Sequence, residues 1–147
     1  MAAKKWLESL SRIKPTLGRF SSVSLSGIHV ISANHGRVLC SFCIPAYLTD
    51  AEGYWQTGAI ATVMDVVGAV AIMSTEDTLK VTTDLAISFF SQAKFQEEVE
   101  IEAQTIEQKG KLTMVVVHIR KKGSKQLVAV GRLWMAFSSA RPFESKL

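Results

Sequence analysis

Apolar residues are distributed along this chain in two distinct patterns. From Gly58 to Met73 almost every position is apolar, with one acid, Asp65, in the middle of the run. A helix over Gly58–Ser74 would extend about 25 Å, and a helix apolar on every side belongs in an interior, wrapped by other elements. Past that run the pattern changes to alternation. In Glu97–Glu107, Val99, Ile101 and Ala103 face one way and Glu98, Glu100 and Glu102 the other, the period of a half-buried strand. Val81–Ser91, Leu112–Lys121 and Gln126–Phe137 also read as strands, with turns at Gln108–Lys111 and Lys122–Lys125. Ahead of the helix, Gly27–Ala33 and Arg37–Ile44 form two strands around an Asn34-His35-Gly36 turn. At the N-terminus Trp6, Leu10 and Ile13 share one face of a short helix over about Lys4–Ile13, stopped by Pro15. A polar, serine-rich stretch follows it through Ser26, and a loop over Thr49–Gly53 leads into the central helix.

The predicted order is therefore short helix, two strands, one long buried helix, four strands. Sequential strands joined by tight turns pair antiparallel, which makes the chain an α+β protein. One curved antiparallel sheet of about six strands, wrapped around one long central helix, accommodates every segment. The whole chain, 1–147, forms a single domain with a C-terminal tail from about residue 139. Such a sheet leaves an open edge that a second copy can cover.

Composition narrows the function classes. A net charge of +4 suits an anionic small ligand but is thin for nucleic acid, and no basic patch interleaved with aromatics is present. The apolar run is broken by Asp65 and falls short of the roughly 20 residues a membrane span needs. The N-terminus, with Lys4, Lys5 and Glu8, has no apolar signal core. The chain finishes Ser145-Lys146-Leu147, the tripeptide read by the peroxisomal import receptor, so the expected location is the peroxisome. Cys40 and Cys43 form a C-x-x-C pair, but on a strand residues three apart face opposite sides. No second pair completes a zinc site either, so buried structural thiols are expected. No cofactor or metal is called for. His35 belongs to a turn, and His29 and His118 read as structural strand residues.

The segments Gly53–Asp65, Val81-Thr82-Thr83-Asp84-Leu85 and Ser91-Gln92-Ala93-Lys94 resemble the small acyl-CoA thioesterases of the PaaI-like group, and within it the acyl-CoA thioesterase 13 type. The resemblance runs from about Leu17 to Phe137. It implies the hotdog fold, a homodimer pairing to a homotetramer, and hydrolysis of a fatty or aryl acyl-CoA to free acid and CoA. The helix acid of that group falls on Asp65, and its serine on the following strand falls on Thr82, so these two would hold the attacking water. Its His-Gly-Gly at the helix entrance is Gln56-Thr57-Gly58 here, and its asparagine six positions ahead of the histidine is Asp50. By resemblance, the helix entrance and position 50 would hold the thioester carbonyl.

The residues support that chemistry in their own right. Thioester hydrolysis needs a base or nucleophile and donors for the developing oxyanion. The free N–H groups near Thr57 and Gly58 supply donors, helped by the helix dipole. Asp65 can act as general base or as carboxylate nucleophile. Asp65 lies about 10 Å along the axis from Gly58, too far for one helix to supply both groups. Two antiparallel helices related by a two-fold axis can, each giving its N-terminus to the other's acid. Gly58, Ala61, Gly68 and Ala69 around Asp65 are small enough to let another backbone or a ligand approach. Lys94, Lys121, Lys122 and Lys125 are candidates for the CoA phosphates, and Tyr54, Trp55, Phe89 and Phe90 for an acyl pocket. An acyl-CoA-binding protein without turnover is the alternative reading, favoured by the Gln56-Thr57 and Asp50 departures. A hydratase would bring a histidine to the helix entrance, and none is there.

Overall fold

The computed structural model of the chain describes residues 2–12, 20–76, 78 and 80–137. The chain forms helices α1 (Ala2–Ser11), α2 (Phe20–Leu25) and α3 (Thr57–Glu76), and strands β1 (His29–Asn34), β2 (Arg37–Cys43), β3 (Lys80–Phe89), β4 (Glu98–Lys109), β5 (Leu112–Lys121) and β6 (Leu127–Phe137). All six strands make one antiparallel sheet in the order β1-β2-β4-β5-β6-β3. It curls around α3 as the alternation requires: Val99, Ile101, Ala103, Val115, Val117, Ile119 and Leu133 are fully buried on its inner face. From α3, Val63, Met64, Val67, Val70, Ala71 and Ile72 fill the same core.

Helix and sheet approach closely at two glycines. A Cβ on Gly131 would lie 2.6 Å from the Met64 sulfur, so a side chain there would make the Met64 thioether move. Gly68 faces the sheet, where its Cβ position lies 3.6 Å from Leu133. The expectation that Gly68 opens the Asp65 face to a partner is thus corrected: Gly58 and Ala61 remain on the accessible side, while Gly68 is spent on helix–sheet packing.

α3 is three residues longer than the apolar run suggests, and at twenty residues it is long and apolar enough to cross a membrane. Its packing in the core accounts for that apolarity. α1 and α2 pack on α3, and α1 also on β1. On α1 the buried side chains are Ala3 and Leu7, with Trp6 at the rim, 36% exposed. Ile13, expected to end this helix, lies outside the described residues, as does the tail from residue 138 with its terminal tripeptide. The serine-rich stretch is not merely a connection: its end winds into α2, burying Ser24 and Leu25. Tertiary burial of one turn overrides the weak helix preference of serine.

The β1–β2 turn carries positive φ at both His35 and Gly36, the pattern of a tight two-residue hairpin. Cys40 and Cys43 do face opposite sides, but only Cys40 is buried; Cys43 is exposed, so the expectation of two buried thiols fails for one of them. His118 points outward from the sheet, beside Leu39, Glu100, Glu102 and Arg120.

Candidate active site

Asp65 sits midway along α3, and its carboxylate accepts a hydrogen bond from the Thr82 hydroxyl of β3. A bulge in β3 sets up this contact. The pairing of β3 with β6 slips one residue between Thr82 and Asp84, and the Thr83 hydroxyl donates to the Trp134 carbonyl. The extra residue lets Lys80 and Thr82 face α3 while Leu85 and Ile87 also face inward further on. Bulges of this kind re-aim side chains near functional sites. Asp65 and Thr82 line a cavity of about 280 Å³ with Trp6, Val66, Ala69, Lys80, Val81 and Met135.

The entrance of α3 opens into a second, larger cavity of about 550 Å³, with walls that include Asp50, Gln56, Thr57, Tyr54, Phe89, Phe90 and Gln92. Its loop is fixed by backbone bonds: Gln56 N–H to the Leu48 carbonyl, Trp55 N–H to Ala93, and Phe95 N–H to Gly53. Gln56 is the cap of the helix, because its carbonyl accepts the Ile60 N–H. Thr57 is therefore the first helical residue and not the cap. The N–H groups of Thr57 and Gly58, exposed at the first turn, point out of the helix end without intrahelical acceptors.

The two polar replacements at this entrance have their own duties. The Asp50 carboxylate accepts N–H bonds from Glu52 and Tyr54 and closes the loop as an Asx turn. The Gln56 amide donates to the Thr49 carbonyl. Both side chains still border the cavity, but their bonded atoms serve the loop.

The structure thus brings Asp65 together with Thr82, and Thr57 and Gln56 together with Asp50, in two cavities that share no lining residue. Of the lysines, Lys125 pairs with Glu100, Lys122 with Glu98 and Lys121 with Glu97. Lys125 lies outside both cavities. Lys94 instead lies over the Tyr54 ring, at the edge of the entrance cavity.

Lys80 and Trp6 are the members that sequence reasoning missed. Lys80 is 6% exposed; its amine donates to the Thr113 hydroxyl at 2.7 Å and pairs with Glu76 at 3.0 Å, by the C-terminal end of α3, where the helix dipole favours a cation. Its isolated position in the sequence gives no sign of burial, and only the facing Thr113 on a distant strand does. Among the described residues no cluster of three or more His, Cys, Asp or Glu side chains forms a metal-binding set.

Comparison with known proteins places this arrangement. The sequence profile of the thioesterase superfamily matches residues 52–128, the segment that holds the helix entrance, Asp65 and Thr82. The chain belongs to the thioesterase superfamily. It is accordingly a thioester hydrolase. Human acyl-coenzyme A thioesterase 13 is 31% identical over 109 residues, which cover 74% of this chain and 78% of that protein. The crystal structure of zebrafish thioesterase superfamily member 2 superposes with a TM-score of 0.82 at 27% identity, covering 92% of this chain and 95% of the other. The Escherichia coli PaaI protein shares the fold, with a TM-score of 0.70 at 18% identity over 76% of this chain and 79% of its own. The sheet wrapped around α3 is the hotdog fold of this superfamily.

Proposed function

We propose that this thioesterase hydrolyses fatty or aryl acyl-CoA to the free acid and CoA, with Asp65 activating water. The Asp65–Thr82 pair, held in a cavity by the β3 bulge, is the observation that carries the reading. Its kinship with acyl-coenzyme A thioesterase 13 supports the substrate class. Thr82 donates to one oxygen of Asp65, leaving the other oxygen of Asp65 and a lone pair of Thr82 to hold a water. That water attacks the thioester carbonyl as Asp65 takes its proton. The developing oxyanion is met by the N–H groups of Thr57 and Gly58 at the α3 entrance, with the helix dipole behind them. Collapse of the intermediate breaks the C–S bond, and the CoA thiolate recovers the proton from Asp65.

The oxyanion donors in this scheme belong to a second subunit. Thr57 and Asp65 of one chain lie about 12 Å apart along α3 and open into separate cavities. A two-fold axis that sets two α3 helices antiparallel joins each entrance to the other's acid. β3, with one edge beyond its pairing to β6, offers a strand surface for that contact. The dimers pair further into a homotetramer. Residues Ser145-Lys146-Leu147 direct the protein through the import receptor to the peroxisome.

A panel of acyl-CoA esters assayed by free-thiol release tests the activity. Turnover by the native protein that collapses in Asp65→Asn supports the reading. Tight binding of the esters with no turnover in either form would overturn it. A fluorescent fusion that lacks Leu147 is expected to spill from peroxisomes into the cytosol, and continued punctate import contradicts the address.

A further inference from the structure

We propose that Lys80 is the positioning residue that decides which of two adjacent threonines faces Asp65. The inference rests on the Asp65–Thr82 reading above and names what holds that pair together. Against β6 the strand β3 has two registers open to it, one with the bulge and one without. The Lys80 amine selects the bulged one.

The residue pattern of β3 favours the other register. Beyond the bulge Leu85 and Ile87 face inward, and side chains on a strand alternate with a period of two. Continued without a bulge, that alternation puts Thr83 and Val81 inside and Thr82 and Lys80 outside, an ordinary half-buried strand. The structure has the reverse: Lys80 is 6% exposed, whereas Val81 is 47% exposed and Thr83 is exposed as well. A one-residue slip exchanges the two faces of a strand, and buried apolar side chains are what normally fix the register. Ahead of this bulge none does so. The apolar residue of that segment, Val81, is exposed, and so is Phe137, the pairing partner of Lys80.

The amine takes over that duty. Lys80 is the first residue of β3, and its Nζ donates to the Thr113 hydroxyl of β5 and pairs with Glu76, the last residue of α3. Thr113 is fully buried, and Thr113, Met135 and Thr82 form one cross-strand row over β5, β6 and β3. The amine is thus tied to the row in which Thr82 stands. An ammonium is costly to bury without such acceptors, and both are reached only while Lys80 faces inward. That inward turn brings Thr82 with it, two residues on. Without the bulge Asp84 keeps Trp134 as its partner, and Thr83 takes the place of Thr82 opposite Met135. A hydroxyl then still faces α3, but it is that of Thr83, which now donates to the Trp134 carbonyl.

The test removes the amine and asks which threonine the site then depends on. A crystal structure of full-length Lys80→Thr should show Thr83 opposite Met135 with its hydroxyl on Asp65, and Val81 turned inward. Kinetics should follow the register. In the native background Thr82→Val should lower kcat about tenfold or more, and Thr83→Val should leave it within about twofold. In the Lys80→Thr background the loss should move: about tenfold for Thr83→Val and under about twofold for Thr82→Val. Where Lys80→Thr does not fold, Glu76→Gln combined with Thr113→Val strips the amine of both acceptors, keeps Lys80 in the chain, and should move the loss in the same way. Thr82 still bonded to Asp65 in the variant structure, with the kinetic loss still at position 82, would overturn the role of Lys80. Valine at position 82 without effect on a native enzyme that turns over would instead sink the catalytic reading of Thr82, and the variant structure alone then decides the register.

Discussion

An aspartate in the middle of an apolar helix persists only with a partner, and Thr82 is that partner. The hydroxyl orients the carboxylate, and a hydrogen bond to a charged group is worth about 1.5–3 kcal/mol. Thr82→Val keeps the shape and removes the donor, so kcat is expected to fall about ten- to a hundredfold, with KM little changed. Thr82→Ser should recover most of the rate, and steady-state kinetics of the two variants checks this. The pair was legible in the sequence because both residue types stand at matching places in a recognisable pattern. The roles of Asp50 and Gln56 were not, since a loop's internal hydrogen bonds depend on backbone geometry that spacing does not specify. The cysteines show the same limit. Burial pushes the Cys40 thiol up to about 12, whereas Cys43 is exposed. Alkylation of the native protein at pH 8 should label Cys43 and spare Cys40, and both should react in denaturant. Between pH 9 and 12 the unfolded chain releases a proton that folded Cys40 keeps, so this burial lowers stability as pH rises through that window.

At the scale of elements, the strands and the central helix follow from period and length, and their observed bounds differ from the expected ones mainly at their ends. α2 was hidden because serines carry no apolar period, and its turn forms by burying Leu25 under the fold. The β3 bulge was equally hidden, yet it is what turns Thr82 toward Asp65. Contact between α3 and the sheet makes its own prediction at Gly131. Adding a methyl there meets the Met64 sulfur at 2.6 Å, an overpacking expected to cost about 1–3 kcal/mol. Gly131→Ala should lower the urea midpoint, and combining it with Met64→Ala should cost less than the sum of the two single changes, because the new methyl fills space that Met64 leaves. Additive losses would mean that α3 does not press on β6 at this point.

In the proposed mechanism the whole molecule carries half of the catalytic apparatus at each of two separated openings, Asp65 at one and the Thr57 N–H at the other. The fold was legible as a helix in a curled sheet, but a single chain does not reveal by pattern which openings meet; the distance along α3 is what supports the proposed two-subunit site. Sharing sites between subunits is therefore the central claim, and mixing two damaged forms tests it most directly. Asp65→Asn removes the acid. Thr57→Pro removes an oxyanion N–H at a first-turn position where proline is tolerated. Each variant alone should be nearly inactive. After subunit exchange of an equal mixture, half of the dimers carry one of each chain and one intact site, so activity should recover to about a quarter of native. A mixture that stays as inactive as its parents, with exchange verified by mass, would contradict the shared site.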